Sequence, residues 1–285
     1  MSNIIKKTPK VYVMDNGRMT MDKNFMVSMH NPATIDEPNK PAQMIEFPIY
    51  TVLIDHPDGK VLFDTACNPN GMGEGGRWPE EIQKLLHFTA EVNGQDCHLH
   101  SRLEEIGFDP RDIDYVVVSH LHLDHSGCLE LFTNAKIIVH QNEFNAALSN
   151  YAQNRSADGF IWDDIDAWIK NDLTWRVVQG DEDDLELLDG IKILNLGSGH
   201  SFGMLGLHID LPDHGGLILA SDAVYSAENY GPPARLPATI YDSIGYMKTI
   251  ERIKKLSHQT DSKVWFGHDA EQFSTLIKST DGYYE

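Results

Sequence analysis

Apolar positions along this chain fall into two rhythms, short unbroken runs and longer stretches with helical spacing. Phe47 to Asp55 (FPIYTVLID) and Val61 to Asp64 are apolar runs on either side of His56-Pro57-Asp58-Gly59-Lys60. That pairing around a Pro/Gly turn predicts a hairpin. Ile113 to Val118, with three consecutive valines, predicts a buried strand, as does Lys136 to His140, and Ile191 to Leu196 predicts a further strand. Leu205 to Leu211 and Leu217 to Ala220 predict two strands around the turn Asp213-His214-Gly215-Gly216, and Lys263 to Phe266 a short one. Near the start, Lys10 to Met14 reads as a strand ended by a turn at Gly17. Residues Met19 to Pro41 show no clear period and predict a long loop.

Helical spacing predicts Pro79 to Phe88, with Pro79 at its first turn, and His98 to Ile106, closed by Gly107. Further helices are expected after His125 (carrying Cys128, Leu129 and Leu131), at Glu143 to Asn150, and at Ile161 to Trp168. Ser243 to Leu256 is expected to bury Ile244, Met247, Ile250 and Ile253 on one side. Two stretches of sheet, each followed by helices and joined without a marked linker, predict one domain with a two-sheet core and helices outside.

Composition narrows the function. The chain has 285 residues, with 43 Asp and Glu against 23 Lys and Arg, a formal charge of −20. Such a balance opposes binding to a nucleic-acid backbone, which needs basic surface, and opposes loose attachment to anionic membrane. No run approaches the apolar length of a membrane span. The three cysteines, Cys67, Cys97 and Cys128, cannot all pair within the chain, and their spacing fits neither a zinc knuckle nor a thioredoxin motif. They read as reduced thiols. The opening residues carry two lysines but no apolar stretch after them, so the expected setting is soluble and cytoplasmic.

The strongest chemical feature is Ser119-His120-Leu121-His122-Leu123-Asp124-His125-Ser126-Gly127, which directly follows a predicted buried strand. His120 and His122 point the same way if the segment is extended, and Asp124 with His125 begins the next turn. Imidazoles and a carboxylate crowded together would be costly as unpaired buried groups. One or two divalent cations would satisfy them, and this donor set suits zinc, iron, cobalt or manganese rather than calcium. Three later residues share the setting, each just past a predicted strand: His200 in a Gly/Ser loop, Asp222 in Ser221-Asp222-Ala223, and His268 in Gly267-His268-Asp269. Ligands on loops held by strand ends are a common way to build a site. With the first cluster they supply seven donors, enough for two metals.

HxHxDH, then a GH loop, an SDA strand end and a terminal GH together resemble the metallo-β-lactamase fold superfamily, and within it the N-acyl homoserine lactonases. Ile49 to Thr65, Arg77-Trp78-Pro79, Gly107 to Glu130 and Asp222 to Tyr225 also look like that family, so the likeness spans roughly residues 10 to 275. The resemblance implies a four-layer αββα sandwich, with mixed sheets inside and helices on both outer faces. It implies a single hydrolase domain over 1–285, with the 66–98 segment as an insert near the mouth of the active site. By position, His120, His122 and His200 match ligands of a first metal, and Asp124, His125 and His268 those of a second. Asp222 matches the carboxylate shared by both. Asp124 would also orient the attacking water, and Tyr225 matches a tyrosine that contacts the lactone. Met19, Met21, Trp78 and Phe88 fall in segments expected to line the acyl pocket. Where many relatives read GHTPGH, this chain reads Gly199-His200-Ser201-Phe202-Gly203-Met204, which keeps the ligand and alters the wall beside it.

The implied reaction is opening of a lactone ring by a hydroxide shared between two cations, zinc before iron, cobalt or manganese, with no organic cofactor. The implied state is a homodimer acting on a small lactone. A lactonase for another small lactone, such as a pyridoxine-derived one, remains open. A hydroxyacyl-glutathione thioesterase shares all seven ligands but needs basic residues for glutathione, and Lys254 and Lys255 sit on the polar side of a helix. A zinc β-lactamase usually carries Cys at the Asp222 position. A nuclease of this fold needs basic surface. An oxygen-reducing diiron protein would carry Glu in place of His122, and a silent sensor would have little reason to keep seven ligands.

Overall fold

A computed structural model of the protein describes residues 8–212 and 214–285. Its first half runs β1 (Lys10–Asp22), α1 (Lys23–Met26), β2 (Met44–His56), β3 (Gly59–Phe63), α2 (Glu80–Leu85) and β4 (Leu86–Thr89). A small ribbon, β5 (Glu91–Val92) and β6 (Gln95–Asp96), precedes α3 (Leu99–Glu105), β7 (Tyr115–Val117), β8 (Lys136–His140), α4 (Gln141–Ala152), α5 (Trp162–Lys170) and β9 (Thr174–Val178). The second half runs β10 (Leu185–Leu188), β11 (Ile191–Gly197), β12 (Met204–Leu211), β13 (Gly215–Ser221), α6 (Ala227–Tyr230), α7 (Ser243–Thr260), β14 (Ser262–Phe266) and α8 (Ala270–Thr275).

These strands make two mixed sheets, ordered β4-β1-β2-β3-β7-β8-β9 and β10-β11-β12-β13-β14. Alternation along each strand decides what the two faces touch. Val11, Val13, Val52, Ile54 and Val61 of the first sheet pack against Ile191, Ile193, Leu205, Leu207 and Leu219 of the second. Leu53, Leu62, Val116 and Ile137 point the other way, onto Leu99 and Leu103 of α3, Ala147 of α4, and Ile165 and Trp168 of α5. The outer face of the second sheet, through Leu194, Leu196, Ile218 and Ala220, packs on Tyr246, Ile250 and Ile253 of α7. The result is helix, sheet, sheet, helix, the αββα order. Among the described residues no helix is long and apolar enough to cross a membrane.

Several predicted elements need correction. The first strand does not end at Met14. It continues to Asp22 through a bulge, where the register with β2 shifts between Asp15 and Arg18. Gly17 sits in that bulge at φ +119°, and a Cβ there would lie 2.3 Å from the Thr89 carbonyl oxygen. Met19 and Met21 are therefore strand residues, not loop residues. The helix predicted to Phe88 stops at Leu85, because Leu86–Thr89 pair with the free edge of β1 (Met21 with Leu86, Met19 with Phe88). The helix expected after His125 is only a short 3-10 turn at Leu129–Leu131. Gly127 lies against the backbone of Ala66 to Asn68, where its N–H donates to the Ala66 carbonyl at 2.8 Å, and this holds the segment away from helix geometry. On α7 the buried face is Tyr246, Thr249, Ile250 and Ile253, while Ile244 in the first turn is exposed. Strands β9 and β10 carried no clear signal, and Asp213 of the predicted turn lies outside the described residues, as do the lysines near the start.

Candidate metal centre

Both sheets end their site-bearing strands at one edge. The loop after β7 carries Ser119 to His125, the loop after β11 carries His200, the end of β13 leads to Asp222, and the end of β14 to His268. The backbone is bent hard there: Asp64 (φ 62°), Ala66 (φ 55°) and Ser221 (φ 47°) are non-glycine residues in the left-handed region, at the ends of β3 and β13. Gly159 (φ +84°) closes against the ring of His122, where a Cβ would meet Cδ2 at 2.3 Å.

The structure brings the seven residues together. Donor atoms of His120, His122 and His200 lie within 4.8 Å of one another, and so do those of Asp124, His125 and His268. Asp222 stands between the two groups. Its Oδ2 is 3.4 Å from Nε2 of His200 and 3.8 Å from Nε2 of His120, and its Oδ1 is 3.0 Å from Nε2 of His268 and 3.5 Å from Nε2 of His125. Asp124 Oδ2 lies 3.5 Å from Nε2 of His125 and 3.4 Å from Nε2 of His268.

The outward nitrogens are held by acceptors or hydroxyls. His268 Nδ1 is 3.0 Å from the Pro48 carbonyl, His200 Nδ1 is 2.9 Å from the Thr239 carbonyl, and His125 Nδ1 is 2.9 Å from Asp64. His120 Nδ1 is 3.0 Å from the Ser119 hydroxyl, which donates to Asp64. The inward atoms are different. Nε2 of His120, His125 and His268 and Oδ1 of Asp222 are buried with no hydrogen-bond partner. Orphaned buried nitrogens beside carboxylates, each imidazole braced from behind, are the donor set a divalent cation requires. The residues fit a dinuclear metal group.

Electrostatics agree with that fit. Burial and the neighbouring His125 and His122 hold His120 far below the usual histidine range, and burial with His200 brings His122 to about 3. These are neutral imidazoles with a lone pair to give. For His125 and His268 burial pulls the same way, but the carboxylates of Asp124 and Asp222 outweigh it and raise them. Burial, together with the charges of Asp222 and Asp124, pushes the Tyr225 hydroxyl well above its ordinary value, so it is a donor at neutral pH.

Over the cluster opens a cavity of about 230 Å³. Its floor includes His122, Asp124, Asp222, Tyr225 and His268, and its walls are Met19 and Met21 of β1, Phe25 of α1, Ile82 and Leu85 of α2, Leu86 and Leu123. Trp78 and Phe88 are not among its lining residues; they are buried beneath it, with ring centroids 6.0 Å apart, in the apolar cluster that also holds Met19 and Tyr225. The residue pattern did not point to Phe25, Asp64, Glu143 or Thr239. Asp64 closes an apolar run as many surface turns do, and Phe25 falls in a stretch without period.

A model of the metallo-beta-lactamase superfamily matches residues 44–268. The chain is 41% identical over 276 residues to N-acyl homoserine lactonase AiiB of Agrobacterium fabrum, covering 97% of this chain and 99% of that one. It is 40% identical over 276 residues to the AiiB lactonase of Rhizobium rhizogenes, again covering 97% and 99%. Among solved structures it resembles an N-acyl homoserine lactone hydrolase with the product N-hexanoyl-L-homoserine bound at its catalytic metal centre, with TM-score 0.77 and 24% identity over 97% of this chain and 99% of that one. The chain belongs to the metallo-beta-lactamase superfamily.

Proposed function

We propose that this member of the superfamily opens the lactone ring of N-acyl homoserine lactones with a dinuclear metal centre. The assignment gives His120, His122 and His200 to one cation, Asp124, His125 and His268 to the other, and Asp222 to both. One observation carries it: the two carboxylate oxygens of Asp222 face two separate histidine groups, in which the inward nitrogens of His120, His125 and His268 have no hydrogen-bond partner, at the floor of an apolar cavity. The two lactonase relatives at 41% and 40% identity support the substrate class. Zinc is the first choice for an imidazole-rich site, with iron, cobalt or manganese compatible.

When bound, the cations supply a nucleophile from water near neutral pH and polarise the ring carbonyl. The chain's own residues do the rest. Tyr225 donates its hydroxyl hydrogen towards the carbonyl oxygen as charge develops there. Asp124 is held below the usual carboxylate range because His125 and His268 outweigh the effect of burial, so it stays ionised, and its carboxylate would orient the attacking water by accepting a hydrogen bond. Met19, Met21, Phe25, Ile82 and Leu85 take the acyl tail and exclude water from it. On this reading residues 1–285 form one hydrolase domain, and the 66–98 segment contributes Ile82, Leu85 and Leu86 to the mouth. The three unpaired, buried cysteines support a cytoplasmic setting. A homodimer follows from the family resemblance and is checked by sedimentation.

Purified protein reconstituted with zinc and assayed on a panel of lactones tests the proposal. Expected are two ions per chain and the highest kcat/KM on acyl homoserine lactones. Preference for a lactone without an acyl-amide arm would overturn the substrate, and one ion or none would overturn the ligand set.

A further inference from the structure

Glu143, in the first turn of α4, is completely buried yet lines neither the cavity nor the set of seven donors. A carboxylate in that position is costly unless its lone pairs are filled. Three donors fill them. The N–H of Leu121 donates to Oε1 at 2.9 Å, and the hydroxyl of Ser201 and the N–H of Gly203 donate to Oε2 at 2.7 and 3.2 Å. Leu121 lies between His120 and His122, and Ser201 directly follows His200. One side chain thus ties the ligand loop of the first sheet to the ligand loop of the second.

The same contact selects a tautomer. Ser201 Oγ is 3.3 Å from Nε2 of His122. With the Glu143 carboxyl ionised, the Ser201 hydrogen goes to Glu143, so towards His122 the oxygen accepts, and the ring proton belongs on Nε2. Nδ1 of His122 is then bare, and it lies 2.9 Å from Nε2 of His200. His200 in turn faces the Thr239 carbonyl with Nδ1, which places its proton there and leaves Nε2 bare as well. Two bare nitrogens directed at the same point cannot hydrogen-bond to each other, and a cation between them resolves the conflict.

We propose that Glu143 and Ser201 are positioning residues that hold His122 as the Nε2–H tautomer and so keep its Nδ1 open to the metal. The inference rests on the ligand set proposed above. Without the Ser201 hydroxyl, the His122 proton has no acceptor at Nε2 and a good one at Nε2 of His200. It moves to Nδ1, and both imidazoles are spent on each other. Losing a group that orients a ligand from behind typically weakens metal binding by about 10- to 100-fold.

The experiment uses metal-free full-length protein: wild type, Ser201→Ala and Glu143→Gln. Zinc affinity is measured by competition with a chromophoric chelator, the histidine tautomers by long-range nitrogen–proton NMR, and folding by thermal melting without metal. The expected result is an Nε2–H His122 in the metal-free wild type, a shift towards Nδ1–H in Ser201→Ala, and zinc binding weaker by about 10- to 100-fold in both variants. An Nδ1–H His122 in the metal-free wild type would overturn the proposal without reference to any variant. So would wild-type zinc affinity in Ser201→Ala, including when its metal-free melting temperature falls, since that pattern belongs to a purely structural bond. Failure of the wild type to bind zinc at all is a different outcome and sinks the ligand set instead.

Discussion

The floor of the site and its mouth are built by opposite means. The floor is polar and buried, and it is set by the ends of long strands in two sheets, with nearly every imidazole braced from behind by a carboxylate, carbonyl or hydroxyl. The mouth is apolar and partly open, made from the last residues of β1, a four-residue helix and the six-residue α2, where Leu85 is 54% exposed. Rigid strand ends can hold donor atoms within tenths of an ångström, and short elements at a rim can vary without disturbing them. On the proposed function the floor carries the reaction, and the mouth carries the choice of substrate.

The sharpest break of that division is Asp222→Ala. Removing the carboxylate shared by both histidine groups is expected to lower metal content and to cost several kcal/mol of transition-state stabilisation, on the order of 10³-fold in kcat/KM. Metal analysis and kinetics on one sample check it, and full occupancy with normal turnover would refute the assignment. Tyr225→Phe stays within the floor and removes no ligand, only a hydroxyl that lies 3.2 Å from Nδ1 of His200. One missing bond near developing charge is worth about 1–3 kcal/mol, roughly 5- to 150-fold, and kcat and kcat/KM should fall together at constant metal content. A rise in KM alone would mean the hydroxyl holds only the ground-state lactone.

The mouth should respond in a different currency. If the cavity takes the acyl tail, each added methylene raises kcat/KM by at most about 0.8 kcal/mol, roughly fourfold. Leu85→Ser should flatten that slope for long chains and leave four-carbon substrates unchanged. Equal efficiency for four- and twelve-carbon chains would show that the tail stays in solvent. The smallest effect concerns the tie between the 66–98 segment and the body of the domain, where Arg77 donates to Glu130 (2.6 Å) and to Asp164 of α5 (3.0 Å). Burial pushes the Asp164 carboxyl up to about 7, against the pull of Arg77. The folded chain thus holds that proton more tightly than the unfolded one. The stability this confers is whole below about pH 4 and is lost as pH rises through 7. Urea midpoints of the wild type should fall between pH 5 and 8 by more than those of Asp164→Asn, and parallel profiles would exclude this carboxyl as the cause.

The contrast also explains what could be read from residues alone. HxHxDH is local, so four donors of the floor announce themselves within six positions. His200, Asp222 and His268 are distant in sequence and were recognisable because each follows an apolar run. The hairpin of β2 and β3 was equally plain. The braces were not legible: Glu143 reads as an ordinary polar residue of a helix, and only the fold reveals that its face meets two loops. The mouth was least legible. Met19 and Met21 alternate with Thr20 and Asp22 as strand residues do, but the bulge at Gly17 interrupts the run, and only pairing with β2 on one side and β4 on the other shows that the strand continues. Trp78 and Phe88 share the 66–98 segment with Ile82, Leu85 and Leu86, yet they are buried and do not line the cavity.

His120, His122, Asp124 and His125 hang from the first sheet, and His200, Asp222 and His268 from the second. Whatever binds all seven is a clasp across the sandwich, and its binding free energy becomes part of the cohesion between the two sheets. Stripping the metal with a chelator should then be felt far from the catalytic edge, as faster amide exchange in β12 and β13 while the helices behind each sheet keep their protection.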